Sequence, residues 1–185
     1  MRIIAGTWSS RRIETLDGDA TRPTLDKVRE AVFSSLGTYF EGGAMLDLYA
    51  GSGAVGLEGL SRGMDQLVSV EKSHAACNVI RKNIDSLQCR DRVRLLNMSD
   101  ERALQILAQE GMQFDLVYLD PPYRLQKDEK VMAYLCDHGM LKEGSRVVVE
   151  SLKEETFPEE TGFLHQEKSK VYGISRITYY IARHQ

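Results

Sequence analysis

From residue 44 to residue 150 the chain alternates short apolar runs with longer stretches of helical periodicity, and each run ends at a polar or glycine-rich break. The runs at 44–49, 66–71, 92–97, 114–119 and 145–150 are rich in Val, Leu and Tyr, as strands buried on both faces should be. Between them, 55–62, 73–87, 100–110 and 127–138 read as helices. Ser73 and Asp100 stand where N-caps belong, and Gly63, Gly111 and Gly139 where helices stop. Upstream, Val28, Ala31, Val32, Ser35 and Leu36 recur at helical spacing after Pro23 and predict an amphipathic helix over 24–39. The segments 2–5 and 11–16 predict a short hairpin. The β-branched and aromatic runs 166–172 and 175–182, around Gly173-Ile174, predict a second hairpin at the C-terminal end. No internal repeat or low-complexity stretch interrupts this order.

Repeated β/α steps followed by a hairpin predict an α/β fold, a mostly parallel doubly wound sheet with a C-terminal antiparallel hairpin. In such sheets ligands bind at the carboxyl ends of the strands. A length of 185 residues with 42% hydrophobic content supports one good core. The expected division is a basic N-terminal hairpin or arm at 1–23 and one domain at 24–185.

Charge changes this picture only when it is located. Residues 1–12 carry Arg2, Arg11 and Arg12 and no acid, and residues 164–185 carry Lys168, Lys170, Arg176 and Arg183 against Glu167 alone. The two ends hold +6 between them, which leaves −9 on the body of a chain whose formal net charge is −3. A polyanion-binding rim on an acidic enzyme has this asymmetry, and so do two merely solvated ends. Cys77, Cys89 and Cys136 form no CxxC pair, so neither a disulfide framework nor a zinc site is suggested, and no metal is expected. There is no apolar run of the roughly 18 residues that would suggest a membrane span. The first residues lack the apolar stretch of a signal peptide, so a cytoplasmic protein with no membrane partner is expected.

Two strand ends carry the candidate chemistry. Gly51-Ser52-Gly53-Ala54-Val55-Gly56 fits GxGxxG after the first strand, and Glu71 closes the second strand twenty residues after Gly51. Glycine lets the backbone turn tightly against a ligand, a helix N-terminus offers free N–H groups, and a carboxylate at that place can hold ribose hydroxyls. The pattern alone does not choose between NAD, FAD and S-adenosylmethionine. Asp47, inside the first strand, leans away from a dinucleotide: it suits the ammonium of a methionine moiety, or else a hydrogen bond to the neighbouring loop. After the fourth strand stands Asp120-Pro121-Pro122-Tyr123. A double proline makes a rigid turn without N–H donors. The Asp120 carboxylate and Pro121 carbonyl are then two acceptors for one NH2 group, and Tyr123 is a face on which a base can stack. Holding both amine hydrogens aims the nitrogen lone pair and stabilises the positive charge that develops on methylation. On its own, such a string is equally well a surface turn.

At these residues the chain resembles the bacterial small-subunit (16S) ribosomal RNA guanine-N2 methyltransferases, the RsmD family. The likeness runs from Arg2-Ile3-Ile4-Ala5-Gly6 through Thr21-Arg22-Pro23-Thr24 and Lys27-Val28-Arg29-Glu30. It continues in Leu46-Asp47-Leu48-Tyr49-Ala50-Gly51-Ser52-Gly53, Leu60-Ser61-Arg62-Gly63 and Leu119 to Tyr123. The resemblance implies a Rossmann-like class I methyltransferase fold, S-adenosylmethionine as cofactor, and ribosomal RNA or the small ribosomal subunit as partner, with a monomer expected. It implies Asp47, Gly51 and Gly53 around the methionine part, with Tyr49 and Ser52 beside them, and Glu71 with Lys72 at the ribose. Ser99 or Asp100 would meet the adenine, where the family often has an acid. Asp120, Pro121, Pro122 and Tyr123 would hold the guanine amine. The clustering of Arg2, Arg11 and Arg12 without acids, with Arg22 at the end of the same basic arm, makes these four the candidate RNA contacts. Competing readings are a DNA or other RNA base amino-methyltransferase, a dinucleotide-dependent oxidoreductase, and a catalytically silent RNA-binding module. A DNA enzyme would lack room for a target-recognition region between residues 124 and 145, where one helix fits. The second leaves the Asp-Pro-Pro-Tyr turn and the basic ends without a role.

Overall fold

The computed structural model describes residues 1–16, 22–121 and 127–184, with backbone alone for residues 22–25. The chain divides into two compact units, Met1–Asp100 and Glu101–Gln185.

In the first unit, α1 (Arg22–Leu36) precedes β1 (Ala44–Asp47), α2 (Ala54–Ser61), β2 (Gln66–Val70) and α3 (His74–Leu87). A 3-10 turn at Arg90–Arg92 leads into β3 (Val93–Leu96). The strands are parallel, β1 pairing β2 from Ala44↔Gln66 to Asp47↔Ser69, and β2 pairing β3 from Leu67↔Val93 to Val70↔Leu96. Met45, Leu46, Leu67 and Val70 are each at most 1% exposed, as both-face burial requires. Helix α3 buries Ala76, Cys77, Ile80, Asn83, Ile84 and Leu87, one stripe at helical spacing, and Ser73 caps it by accepting from the Ala76 amide at 3.2 Å. Helix α1 stops at Leu36, three residues short of the predicted end. Gly37 and Thr38 take φ of 112° and 71°, and this left-handed pair turns the chain out of the helix.

The N-terminal hairpin is reduced to one antiparallel bridge, Arg2↔Arg12, with the Ile3 amide donating to Arg11 O and the Ile13 amide to Met1 O, both at 2.9 Å. What holds it is burial behind the bridge. Ile3 and Ile13 are 1% and 3% exposed. The Glu58 carboxylate, wholly buried in α2, accepts from the amides of Ile4 and Ala5 at 2.9 and 3.1 Å. It also accepts from Arg29 Nε at 3.2 Å and Arg62 Nε at 2.8 Å. Arg29 in turn donates to Arg2 O, and the Ser61 hydroxyl donates to Ala5 O at 2.7 Å.

In the second unit, α4 (Asp100–Gln109, entered at the boundary) leads to β4 (Phe114–Leu119), α5 (Lys127–Asp137) and β5 (Leu141–Leu152). There follow β6 (Glu160–Thr161), β7 (Leu164–Tyr172) and β8 (Ser175–Ala182). β4 and β5 are parallel, Val117↔Val147 to Leu119↔Val149, while β5–β8, β8–β7 and β7–β6 are antiparallel. β5 extends beyond the predicted 145–150 at both ends, because Leu141 pairs with Phe114 of β4 and β8 pairs with the strand to Leu152. β6, two residues long, is too short to leave a periodic signal. The C-terminal hairpin turns at Gly173, φ 60°, as predicted. No described helix is long and apolar enough to cross a membrane. The described residues contain no cluster of three or more His, Cys, Asp or Glu able to hold a metal.

Candidate active site

Beyond β1 the chain turns through Leu48, Tyr49 and Ala50 into the glycine corner. Gly51 and Gly53 have φ of 59° and 87°, a conformation open to glycine and strained for other residues, and Gly53 is the N-cap of α2. A Cβ built on Gly51 meets nothing within 4 Å, so the corner opens onto free space at the carboxyl end of β1. Asp47, 2% exposed, lies beneath it and accepts from the Gly56 amide in the first turn of α2 at 3.3 Å. The carboxylate therefore faces the positive end of that helix. This hydrogen bond goes to the helix that follows the glycine loop.

Glu71 follows β2 and braces the same corner. One carboxylate oxygen accepts from the Gly51 amide and the other from the Ser73 amide, each at 2.8 Å. Each oxygen retains a lone pair for a further donor. Asn97, at the end of β3, was not singled out by its sequence. Its amide nitrogen donates to the carbonyls of Glu71 and Lys72 at 3.0 and 3.1 Å, and its oxygen meets His74 Nδ1 at 3.1 Å. Asp100 begins α4 instead of capping it, and its carboxylate accepts from the Tyr49 hydroxyl at 2.7 Å, with Ser99 half-buried beside it. Asp47, Tyr49, Gly51, Ser52, Gly53, Glu71, Lys72, Ser99 and Asp100 thus gather at the carboxyl ends of three adjacent parallel strands.

A second residue missed by the sequence reading supports the loop from below. Asn83, 1% exposed on α3, donates to Ser52 O at 3.1 Å and to Glu14 O at 2.9 Å, and accepts from the Glu14 amide at 2.7 Å. The signal was available: an amide side chain on the apolar stripe of an amphipathic helix needs buried partners.

In the second unit, Leu119 is fully buried at the end of β4, and Asp120, the next residue, is exposed, with Pro121 after it. Pro122 and Tyr123 lie outside the described residues, as does the side chain of Arg22. Arg2, Arg11 and Arg12 are exposed, Arg2 donating to Ser10 O and Arg11 to Ser86 O. One residue beyond Val149, the partner of Leu119, Glu150 is pushed up from the usual carboxylate range by burial, against the hydrogen bond it accepts from the Tyr118 hydroxyl.

Asp128, in the first turn of α5, is 4% exposed, and its Oδ1 has no hydrogen-bond partner among the described residues. Burial, and then the Glu155 carboxylate nearby, push its carboxyl from 3.8 up to about 7. Between those values the folded chain holds a proton that the unfolded chain has released. The associated stability is complete below pH 3.8 and is lost as pH rises through about 7. Asp128→Asn is expected to flatten this dependence and to raise the melting temperature most above pH 7. Melting curves of both proteins from pH 4 to pH 8 check it, and a constant difference between them would contradict the assignment.

The fold with a glycine corner after the first strand, an acid closing the second and an Asp-Pro pair after the fourth is that of the Rossmann-like class I methyltransferases. Within that class, the chain belongs to the family described as Conserved hypothetical protein 95, whose model matches residues 1–181. It is 35% identical over 183 residues to YlbH of Bacillus subtilis, covering 99% of this chain and 100% of that one. It is also 35% identical over 170 residues to the ribosomal RNA small subunit methyltransferase D of Escherichia coli, covering 91% and 84%. The solved structure of yhhF from Escherichia coli superposes with a TM-score of 0.86 at 32% identity, over 100% of this chain and 99% of that one.

Proposed function

We propose that this chain transfers a methyl group from S-adenosylmethionine to the exocyclic N2 amine of a guanine in small-subunit ribosomal RNA, as a cytoplasmic, monomeric enzyme that uses no metal. The observation that carries the reading is the pair of strand ends. A glycine corner with two carboxylates closes one parallel strand, and an exposed Asp120 followed by proline closes another. Kinship with a ribosomal RNA small subunit methyltransferase supports the substrate class.

The residues present suit the cofactor. The open space above Gly51 admits a ligand against bare backbone, and the acids around it suit an ammonium and a diol. Asp47, with Tyr49, Gly51, Ser52 and Gly53, would hold the methionine part, Glu71 and Lys72 the ribose, and Ser99 or Asp100 the adenine. When bound, S-adenosylmethionine supplies a methyl on a sulfonium, a leaving group already activated, so the protein has mainly to position and to stabilise charge. Asp120 and the Pro121 carbonyl would accept the two amine hydrogens, Pro122 would stiffen the turn, and Tyr123 would stack on the base. Arg2, Arg11, Arg12 and Arg22 would meet phosphates.

The direct test is equilibrium binding of S-adenosylhomocysteine against NAD, followed by methyl transfer to small-subunit ribosomal RNA and mass spectrometry of its nucleosides. Tight binding of the first, none of the second and a new N2-methylguanosine are expected. Preference for NAD would overturn the reading. Glu71→Ala is expected to weaken S-adenosylhomocysteine by tenfold or more, a charge-assisted contact being worth roughly 1.5–3 kcal/mol. An unchanged dissociation constant by calorimetry would place the ribose elsewhere.

A further inference from the structure

The β7–β8 hairpin carries a feature that the proposed chemistry does not use. Ile174 at its turn is 72% exposed and Val171 is 47% exposed, two of only four large hydrophobic residues exposed among those described. Cations surround them. Arg176 pairs across the strands with Val171, Lys170 with Ile177, and Lys168 with Tyr179. Lys153 is joined to the turn, its amide donating to Ile174 O and its carbonyl accepting from Arg176 Nε, both at 2.9 Å. The hairpin's acid, Glu167, is engaged by Arg146 at 3.2 Å. Lys153, Lys168, Lys170 and Arg176 make no ion pair among the described residues. Lys168 instead lies 5.0 Å from the centre of the Tyr179 ring, and Arg176 donates to the Ser169 hydroxyl.

The position of this tip follows from register. Val149 pairs with Leu119 at the end of β4 and with Thr178 of β8, and Leu152 pairs with Ser175. The turn therefore projects past the same edge of the second unit as Asp120. Ile174 lies four residues beyond Thr178, about 13 Å along the strand, and two strand spacings, about 10 Å, to the side of β4. Lysines on an exposed edge such as β7 also discourage strand pairing with another chain. That role accounts for the lysines but not for the exposed Ile174 and Val171 among them.

We propose that this tip is a second RNA contact. Lys153, Lys168, Lys170 and Arg176 meet phosphates, and Ile174 packs against a base or sugar of the segment that presents its guanine to Asp120. The proposal rests on the ribosomal RNA reading given above. Three exposed lysines without acid partners, with the half-buried Arg176 beside them, suit a polyanion, and an isolated aliphatic side chain among them suits a nucleobase face or step.

The test compares four full-length proteins: wild type, Lys168→Glu/Lys170→Glu, Ile174→Ala and Arg11→Glu/Arg12→Glu. Each is titrated with a small-subunit ribosomal RNA transcript at several salt concentrations, with the assembled small subunit, and with S-adenosylhomocysteine. The double lysine variant is expected to bind RNA roughly tenfold or more weakly, with its salt slope reduced by about 2. Ile174→Ala is expected to weaken RNA binding with the slope unchanged, and both tip variants should keep wild-type S-adenosylhomocysteine affinity. If wild type and the Arg11/Arg12 variant bind RNA alike and without a salt slope, the ribosomal RNA reading itself fails. If wild type binds with a slope and the tip variants match it, the tip proposal alone is overturned. Loss of binding to the assembled subunit with unchanged binding to naked RNA would overturn it in favour of a protein partner.

Discussion

Asp120→Ala is expected to slow methyl transfer by about 100- to 1,000-fold, the range found when one preorganised group facing developing charge is removed. S-adenosylhomocysteine affinity should stay near wild type. Asp120 is exposed at the end of β4, so its removal leaves no cavity and the melting temperature should hardly move. Asp120→Asn separates charge from shape, since the amide keeps one acceptor and loses the carboxylate. Its rate is expected between those of wild type and Asp120→Ala. Single-turnover transfer with RNA and cofactor both saturating isolates the chemical step. A wild-type rate in Asp120→Ala would end the proposed mechanism. Loss of cofactor affinity in parallel with rate would make Asp120 a cofactor ligand.

The largest stability effect is expected in the first unit, at Glu58. Its carboxylate is the common acceptor for two guanidinium groups and two backbone amides, and Arg29 and Arg62 are only 5% and 3% exposed. Glu58→Ala leaves the buried Arg62 without its counter-charge and Arg29 with the partly exposed Asp26 alone, at 3.2 Å, a loss of about 3–5 kcal/mol. Set against a total stability of roughly 5–15 kcal/mol, that brings the fold close to its limit. Urea denaturation measures it, and a loss below about 1 kcal/mol would show that the cluster relaxes or takes up water. Hydrogen exchange at Ile4 and Ala5 should rise in Glu58→Ala, because their amides lose their acceptor.

Glu58 also explains part of the resemblance that its sequence displays. Arg2 to Gly6 and Leu60 to Gly63 are separated by over fifty residues, yet the Ser61 hydroxyl donates to Ala5 O and the Trp8 amide donates to that hydroxyl at 3.0 Å. At Gly6, φ 91°, a Cβ would fall 1.9 Å from Ser61 O. These two motifs are one packed joint that fastens the basic arm, so their side chains answer to stability as much as to substrate.

The order of strands and helices, the glycine corner, the C-terminal hairpin and the candidate carboxylates were legible in the chain, because each rests on local rules. Both-face burial makes a strand apolar throughout, a left-handed turn favours glycine, and strand ends in an open sheet are where polar chemistry collects. The end of α1, the length of β5 and the strand β6 were not legible, since each depends on a partner distant in sequence. Glu58, Asn83 and Asn97 were overlooked for the same reason. A buried polar side chain takes its meaning from the donors and acceptors that surround it, and those arrive from other elements when the chain folds. Sequence alone determined which groups this protein has available for chemistry and where along the strands they stand. Only the tertiary structure decided which carboxylates brace backbone, which remain exposed and which cations are left without an acid, because pairing and burial are set by three-dimensional neighbours.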